Sequence, residues 1–135
     1  MKEITLDATI ENIETVTEFV NGQLESSGCP MKAQMQIDIA IDELFGNIAH
    51  YAYPSGGGTA TVRVELEETP PAVRITFIDG GVPYDPLKKE DPDVSLSAQE
   101  RTSGGLGIFL VKKSMDDMQY EYRDGQNILE IRKKF

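Results

Sequence analysis

Glu43 and Asn47 stand four residues apart in a stretch with helical apolar spacing, so a helix sets them on one face, one above the other. A carboxylate can accept a proton from an attacking hydroxyl or water, and an amide oxygen suits Mg²⁺. Such a pair is also common on solvated helix surfaces. Here Ile41, Leu44, Phe45, Ile48 and Ala49 leave little of the helix for solvent, which sends the carboxylate toward a cleft. Asp79-Gly80-Gly81 follows a strand pattern that ends at Ile78. A carboxylate at a strand end can accept an exocyclic amino proton of adenine, and glycine at 81 lets backbone approach the ring. The plain alternative is a β-turn. Ser103-Gly104-Gly105-Leu106-Gly107 opens a helix, where N–H groups and the dipole attract phosphate oxygens. No Gly-Lys-Ser/Thr follows, so it is not a Walker loop, and no strand leads into it as in a dinucleotide fold. A hinge before a packed helix would carry the same glycines.

Arg101 lies just ahead of those glycines and is placed to reach a γ-phosphate as a cationic finger would, or to stay solvated. His50, the single histidine, reads as packing or as support for the Glu43–Asn47 face. Tyr51 and Tyr53 read as core or helix-end packing. Each motif alone is weak. In this order and these contexts they read together as a site for a magnesium nucleotide.

The elements that must hold this site follow from periodicity. Ile4 and Leu6 alternate with polar residues as a first strand, with Asp7 or Thr9 as candidate helix caps. Ile10, Ile13, Val16, Val20 and Leu24 fall at helical spacing until Gly28. Pro30 is placed to begin a second helix, with Met35, Ile37, Ile41, Leu44, Phe45 and Ile48 as its apolar positions and Pro54 and Gly56-Gly57-Gly58 as its stop. Ala60, Val62, Val64 and Leu66 alternate, Pro70-Pro71 interrupts, and Val73, Ile75 and Phe77 resume. Residues 85–103 show no periodicity, as expected of a functional lid or a disordered segment. A third helix has Leu106, Phe109, Leu110 and Val111 apolar. Met118, Tyr120 and Tyr122 then alternate into a turn at Asp124-Gly125, and Leu129, Ile131 and Phe135 alternate out of it. The order predicts an α+β two-layer sandwich over residues 1–135. A mostly antiparallel sheet should carry three helices on one face, leaving a threonine-rich face free for a homodimer.

Composition narrows the classes further. With 135 residues, 39% hydrophobic and 27% charged, the chain fits one ordinary globular domain. No apolar run approaches the ~20 residues of a membrane span. The N-terminus lacks a signal-peptide core, and Cys29 is alone, which fits a reducing cytoplasm. One cysteine and one histidine argue against zinc. A net charge of −10 argues against a nucleic-acid partner but not against a nucleotide neutralised by Mg²⁺ and backbone N–H groups.

The motifs together resemble the GHKL ATPases, which share the Bergerat fold. They are most similar to the small bacterial branch of anti-sigma-factor serine/threonine kinases. Asp42 to Tyr53 resembles that branch's N box, Asp79 to Pro86 its first glycine box, and Gly104 to Val111 its second. The resemblance covers nearly the whole chain. It implies Glu43 as catalytic base, Asn47 as the Mg²⁺ ligand, and Asp79 on the adenine amino group with Gly81 beside the ring. It implies that Gly105 and Gly107 let lid and helix approach the phosphates of ATP. Arg101 matches a basic lid residue more loosely. Pro83 stands where the wider superfamily usually has a glycine, which stiffens the start of the lid. The implied activity is ATP-dependent phosphorylation of a serine on an anti-sigma-factor antagonist of the STAS type, together with sequestration of a sigma factor. A rival reading is a non-catalytic, ATP-gated binding module. A detached histidine-kinase catalytic domain fits less well, because no phosphoacceptor helix is visible.

Overall fold

The computed structural model of the chain describes residues 1–88 and 106–135. Alternating apolar residues give five strands: β1 (Lys2–Asp7), β2 (Thr59–Glu68), β3 (Pro71–Asp79), β4 (Asp117–Arg123) and β5 (Gln126–Lys134). All their pairings are antiparallel, in the order β1-β2-β3-β5-β4. Three helices are described: α1 (Ile13–Leu24), α2 (Met31–Asn47) and α3 (Leu106–Ser114). The two-layer α+β sandwich expected from the sequence is thus observed.

Period two decides which strand residues face the helices. Val62, Phe77 and Leu129 lie across neighbouring strands, as do Val64, Ile75 and Ile131. These meet Val16, Val20 and Leu24 of α1, Ile37, Ile41, Leu44 and Phe45 of α2, and Ile108 and Val111 of α3 in one core. Burying each such side chain contributes roughly 1.5–3 kcal/mol. The same register carries Asp79 and Asn127 onto the core face as direct cross-strand partners.

The helices differ from the sequence reading at their ends and on their outer faces. Ile10 lies in a short 3₁₀ turn (Ile10–Asn12) and is exposed, and α1 begins at Ile13. Neither candidate cap acts through its side chain. Thr9 makes no side-chain cap bond, and the Asp7 carbonyl accepts from the Asn12 amide at 2.8 Å. Pro30 flanks α2 in extended backbone, and its carbonyl accepts the Gln34 N–H. Met35 is exposed, because the inward stripe of α2 runs through Ala33, Ile37, Ala40, Ile41 and Leu44. In α3 only Ile108 and Val111 press inward, leaving Leu106 and Leu110 exposed.

The outer sheet face is a charge ladder rather than a threonine stripe. Thr5 and Thr61 share a hydrogen bond at 2.8 Å. Beyond them Glu3 pairs with Arg63, and Glu67 with Arg74 and Arg132, while Arg74 also reaches Glu130. Asp124 and Gly125 both take positive φ, 55° and 78°, as the expected two-residue hairpin turn requires. No described helix is long and apolar enough to cross a membrane.

Candidate functional site

The last turn of α2 loosens into a π-helical segment, Ile48–Ala52, before Pro54. Such widened turns are frequent where a helix borders a functional site. The end of α2 and this segment bring Asn47, Ile48, Tyr51 and Ala52 to one wall of a cleft. Its floor is the sheet end, with Phe77, Asp79, Tyr120, Asn127 and Leu129, and Val82, Tyr84 and Pro86 close its far side. The walls are apolar with a few polar groups, as suits a flat heteroaromatic ring.

Asp79 is the acid of this floor and is only 6% exposed. Its Oδ1 accepts from the Gly81 N–H and from the Asn127 amide, each at 2.9 Å. Its Oδ2 makes no hydrogen bond among the described residues and is not sealed from the cleft. A relay of two hydrogen bonds through Tyr53 holds the loop after β3. The Gly80 N–H donates to the Tyr53 hydroxyl, which donates to the Thr59 carbonyl. Tyr53, expected only as packing, therefore anchors the Asp79 loop.

Gly81 has a reason the sequence reading did not supply. A Cβ there would sit 2.2 Å from the Ala52 carbonyl oxygen, and Val82 N–H donates to that same oxygen at 2.9 Å. The glycine lets the loop dock on the end of the π-helical segment, beside the cleft wall.

Glu43 and Asn47 share the helix face expected of them. The Asn47 amide N–H lies 3.5 Å from Glu43 Oε1, a long and weak contact. That orientation leaves Asn47 Oδ1 for a cation. Asn47 lines the cleft; Glu43 stands one turn back from it, half-buried. A Cβ at Gly107 would lie 2.1 Å from Glu43 Oε2, so α3 touches the carboxylate directly. Leu106 is exposed at the start of that helix. Arg101, Gly104 and Gly105, with the lid region beyond residue 88, lie outside the described residues.

The donor set fits magnesium held mainly by phosphates. Among the described residues no three His, Cys, Asp or Glu side chains gather as a metal site. Mg²⁺ needs few protein ligands when a polyphosphate supplies the others. His50 is exposed and stacks at a tilt beside Tyr51. Tyr51 in turn meets Tyr84, with ring centroids 6.0 Å apart, at the cleft mouth. Burial, then the charges of Tyr51, Glu43 and Asp85, push the Tyr84 phenol up from its ordinary pKa.

A model of the histidine kinase-like ATPase domain matches residues 6–133. The chain belongs to that family. The GHKL resemblance carried by the three motifs is therefore borne out. This histidine kinase-like ATPase domain is 28% identical over 100 residues to the serine/threonine-protein kinase BtrW of Bordetella bronchiseptica, covering 74% of this chain and 70% of that one. It is 27% identical over 131 residues to the serine-protein kinase RsbW of Bacillus cereus, covering 94% and 81%. A solved Mycobacterium tuberculosis protein with RsbU and RsbW domains superposes on 99% of the domain with a TM-score of 0.64 at 16% identity. The match spans 32% of that longer chain and bears on the fold alone.

Asn127 and Tyr84, which line the cleft, and Tyr53, which anchors its loop, had no part assigned to them by the motif reading. For Asn127 a signal was present. Asn127, Leu129 and Ile131 alternate, so the strand pattern itself puts an amide on the core face.

Proposed function

We propose that this protein is an ATP-dependent serine/threonine protein kinase of the anti-sigma type. Its substrate is an anti-sigma-factor antagonist with a STAS-type domain, and a sigma factor is its second partner. The observation that carries this reading is one cleft with Asp79 at its apolar floor and Asn47, backed by Glu43, on its wall. Kinases named RsbW and BtrW, at 27% and 28% identity, support the protein-kinase class.

Bound ATP with Mg²⁺ supplies the γ-phosphoryl group and neutralises its charge. Asp79 Oδ2 accepts the adenine amino group. Asn47 would hold the metal through its carbonyl oxygen. In transfer, the substrate serine Oγ bonds to the γ-phosphorus, the bridge to the β-phosphate breaks, and ADP leaves. The serine proton passes to the Glu43 carboxylate. Positioning and electrostatics supply most of such catalysis.

The deciding experiment incubates the protein with γ-labelled ATP and the antagonist domain encoded nearest to it. Label on an antagonist serine is the expected result. Tight ATP binding without transfer to any antagonist would replace the kinase by an ATP-gated binding module.

A further inference from the structure

Among the described residues, Asp79 and Asn127 are the only polar side chains buried to 6% exposure. They face each other across β3 and β5. Every hydrogen-bonding capacity of Asn127 is used. Its Nδ2 donates to Asp79 Oδ1 and to the Val82 carbonyl, each at 2.9 Å. Its Oδ1 accepts from the Tyr84 N–H at 3.0 Å and from the Tyr120 hydroxyl. A backbone N–H only donates and a carbonyl only accepts, so the amide has one orientation here.

This has a consequence for the base that Asp79 reads. A carboxylate with both oxygens free can take two parallel donors, such as the N1–H and exocyclic amino group of guanine. A carboxylate with one oxygen free offers an acceptor for a single donor, as adenine presents. Asn127 and the Gly81 N–H occupy Asp79 Oδ1, leaving Oδ2. We infer that Asn127 is a positioning residue that sets base selectivity, by withholding one oxygen of Asp79 and tying the other's direction to the Val82–Tyr84 loop. The inference rests on the nucleotide reading of the cleft.

The test is calorimetric titration of Mg-ATP and Mg-GTP into the parent and Asn127→Asp. The substitution keeps the shape and the acceptor ends toward Tyr84 N–H and Tyr120. It deletes both donors and sets a second carboxylate against Asp79. At about pH 7.5, ATP affinity falls at least about tenfold and the ATP-to-GTP preference shrinks, the scale of one lost charge-assisted hydrogen bond. At about pH 5.5 part of the affinity returns, because one proton shared by the two carboxyls restores a donor between them. The ionisable groups facing this pair are Tyr120 and Tyr122 of β4 and Tyr84 and Asp85 of the loop.

A purely structural role would lower the unfolding temperature without moving the base preference or its pH dependence. Parental ATP affinity and preference at both pH values, in a folded variant, would overturn the inference. If the variant does not fold, Tyr120→Phe removes one donor to Asn127 at a half-buried site. Its ATP-to-GTP preference should fall about two- to threefold, and an unchanged preference would overturn the inference. A parent that binds neither nucleotide defeats the nucleotide reading instead.

Discussion

The α-carbon of Gly107 lies against the Glu43 carboxylate so closely that a methyl group there would meet Glu43 Oε2 at 2.1 Å. The first turn of α3 and the Glu43 turn near the end of α2 are thus fitted to each other. Glycine costs a helix about 1 kcal/mol relative to alanine, so intrinsic propensity favours replacement. Gly107→Ala should therefore leave the unfolding temperature near or above the parent's while displacing the Glu43 carboxylate. Phosphate transfer should drop at least tenfold, on the scale of a misplaced catalytic group. Parallel melting curves and transfer rates check this, and parental transfer would remove the contact from the mechanism.

Glu43 and Asn47 should separate chemistry from binding. Glu43→Gln keeps the shape and should bind ATP at near-parental affinity while transfer falls by about 10²–10⁴, less if the hydroxyl proton moves late. Asn47→Ala should weaken Mg-ATP binding and transfer together. Calorimetry against transfer rate for both variants is the measurement. A Glu43→Gln protein that transfers at the parental rate would deprive the kinase reading of its base.

Asp79 is held by two donors, so Asp79→Ala would strand the Asn127 amide and the Gly81 N–H and cost stability as well as affinity. Asp79→Asn is the cleaner probe. Its oxygen can still accept from Asn127 and Gly81, which turns its NH₂ toward the cleft. An amino group facing the adenine amino group repels it, and ATP binding should weaken by about 1.5–3 kcal/mol. Inosine triphosphate, with a carbonyl at that position, should lose less. Equal losses for the two nucleotides would take Asp79 off the base edge.

The outer face offers a pH prediction. Hydrogen bonds from Arg132 and Arg74 hold the Glu67 carboxyl below its ordinary 4.5. A carboxyl lowered in the folded state stabilises above the unfolded pKa, and the effect is lost as pH falls through the folded value. The melting-temperature deficit of Glu67→Gln should therefore be constant from neutral pH to about 4.5 and shrink below it. High salt should reduce it as well, since the ladder is partly exposed. A deficit independent of both pH and salt would assign Glu67 a packing role instead.

Elements and core were legible because period two and period 3.6 are local signals: Val62, Val64, Ile75 and Phe77, or Ile37, Ile41 and Leu44, announce their buried faces without tertiary information. Asp79 was legible from its place at a strand end. The packing roles of Gly81 and Gly107 were not, because each depends on a neighbour far away in sequence, the Ala52 carbonyl and the Glu43 carboxylate. Met35 misled for the opposite reason. Its hydrophobicity suggested an inner position, yet Ala33 and Ile37 already fix the inward stripe of α2. Tyr53 is indistinguishable from a packing tyrosine until Gly80 and Thr59 are seen to meet its hydroxyl.

The strand that supplies Asn127 is β5, last in chain order yet flanked on both sides in the sheet, between β3 and β4. On the ribosome, a nascent chain that has reached β4 already holds Glu43, Asn47 and Asp79, but β4 has no partner and the β5-facing edge of β3 has none either. Translation must pass residue 134 before the sheet can close. The floor of the cleft around Asp79 and Asn127 therefore closes only once β5 has been made, and a chain that stops short of β5 has no formed cleft.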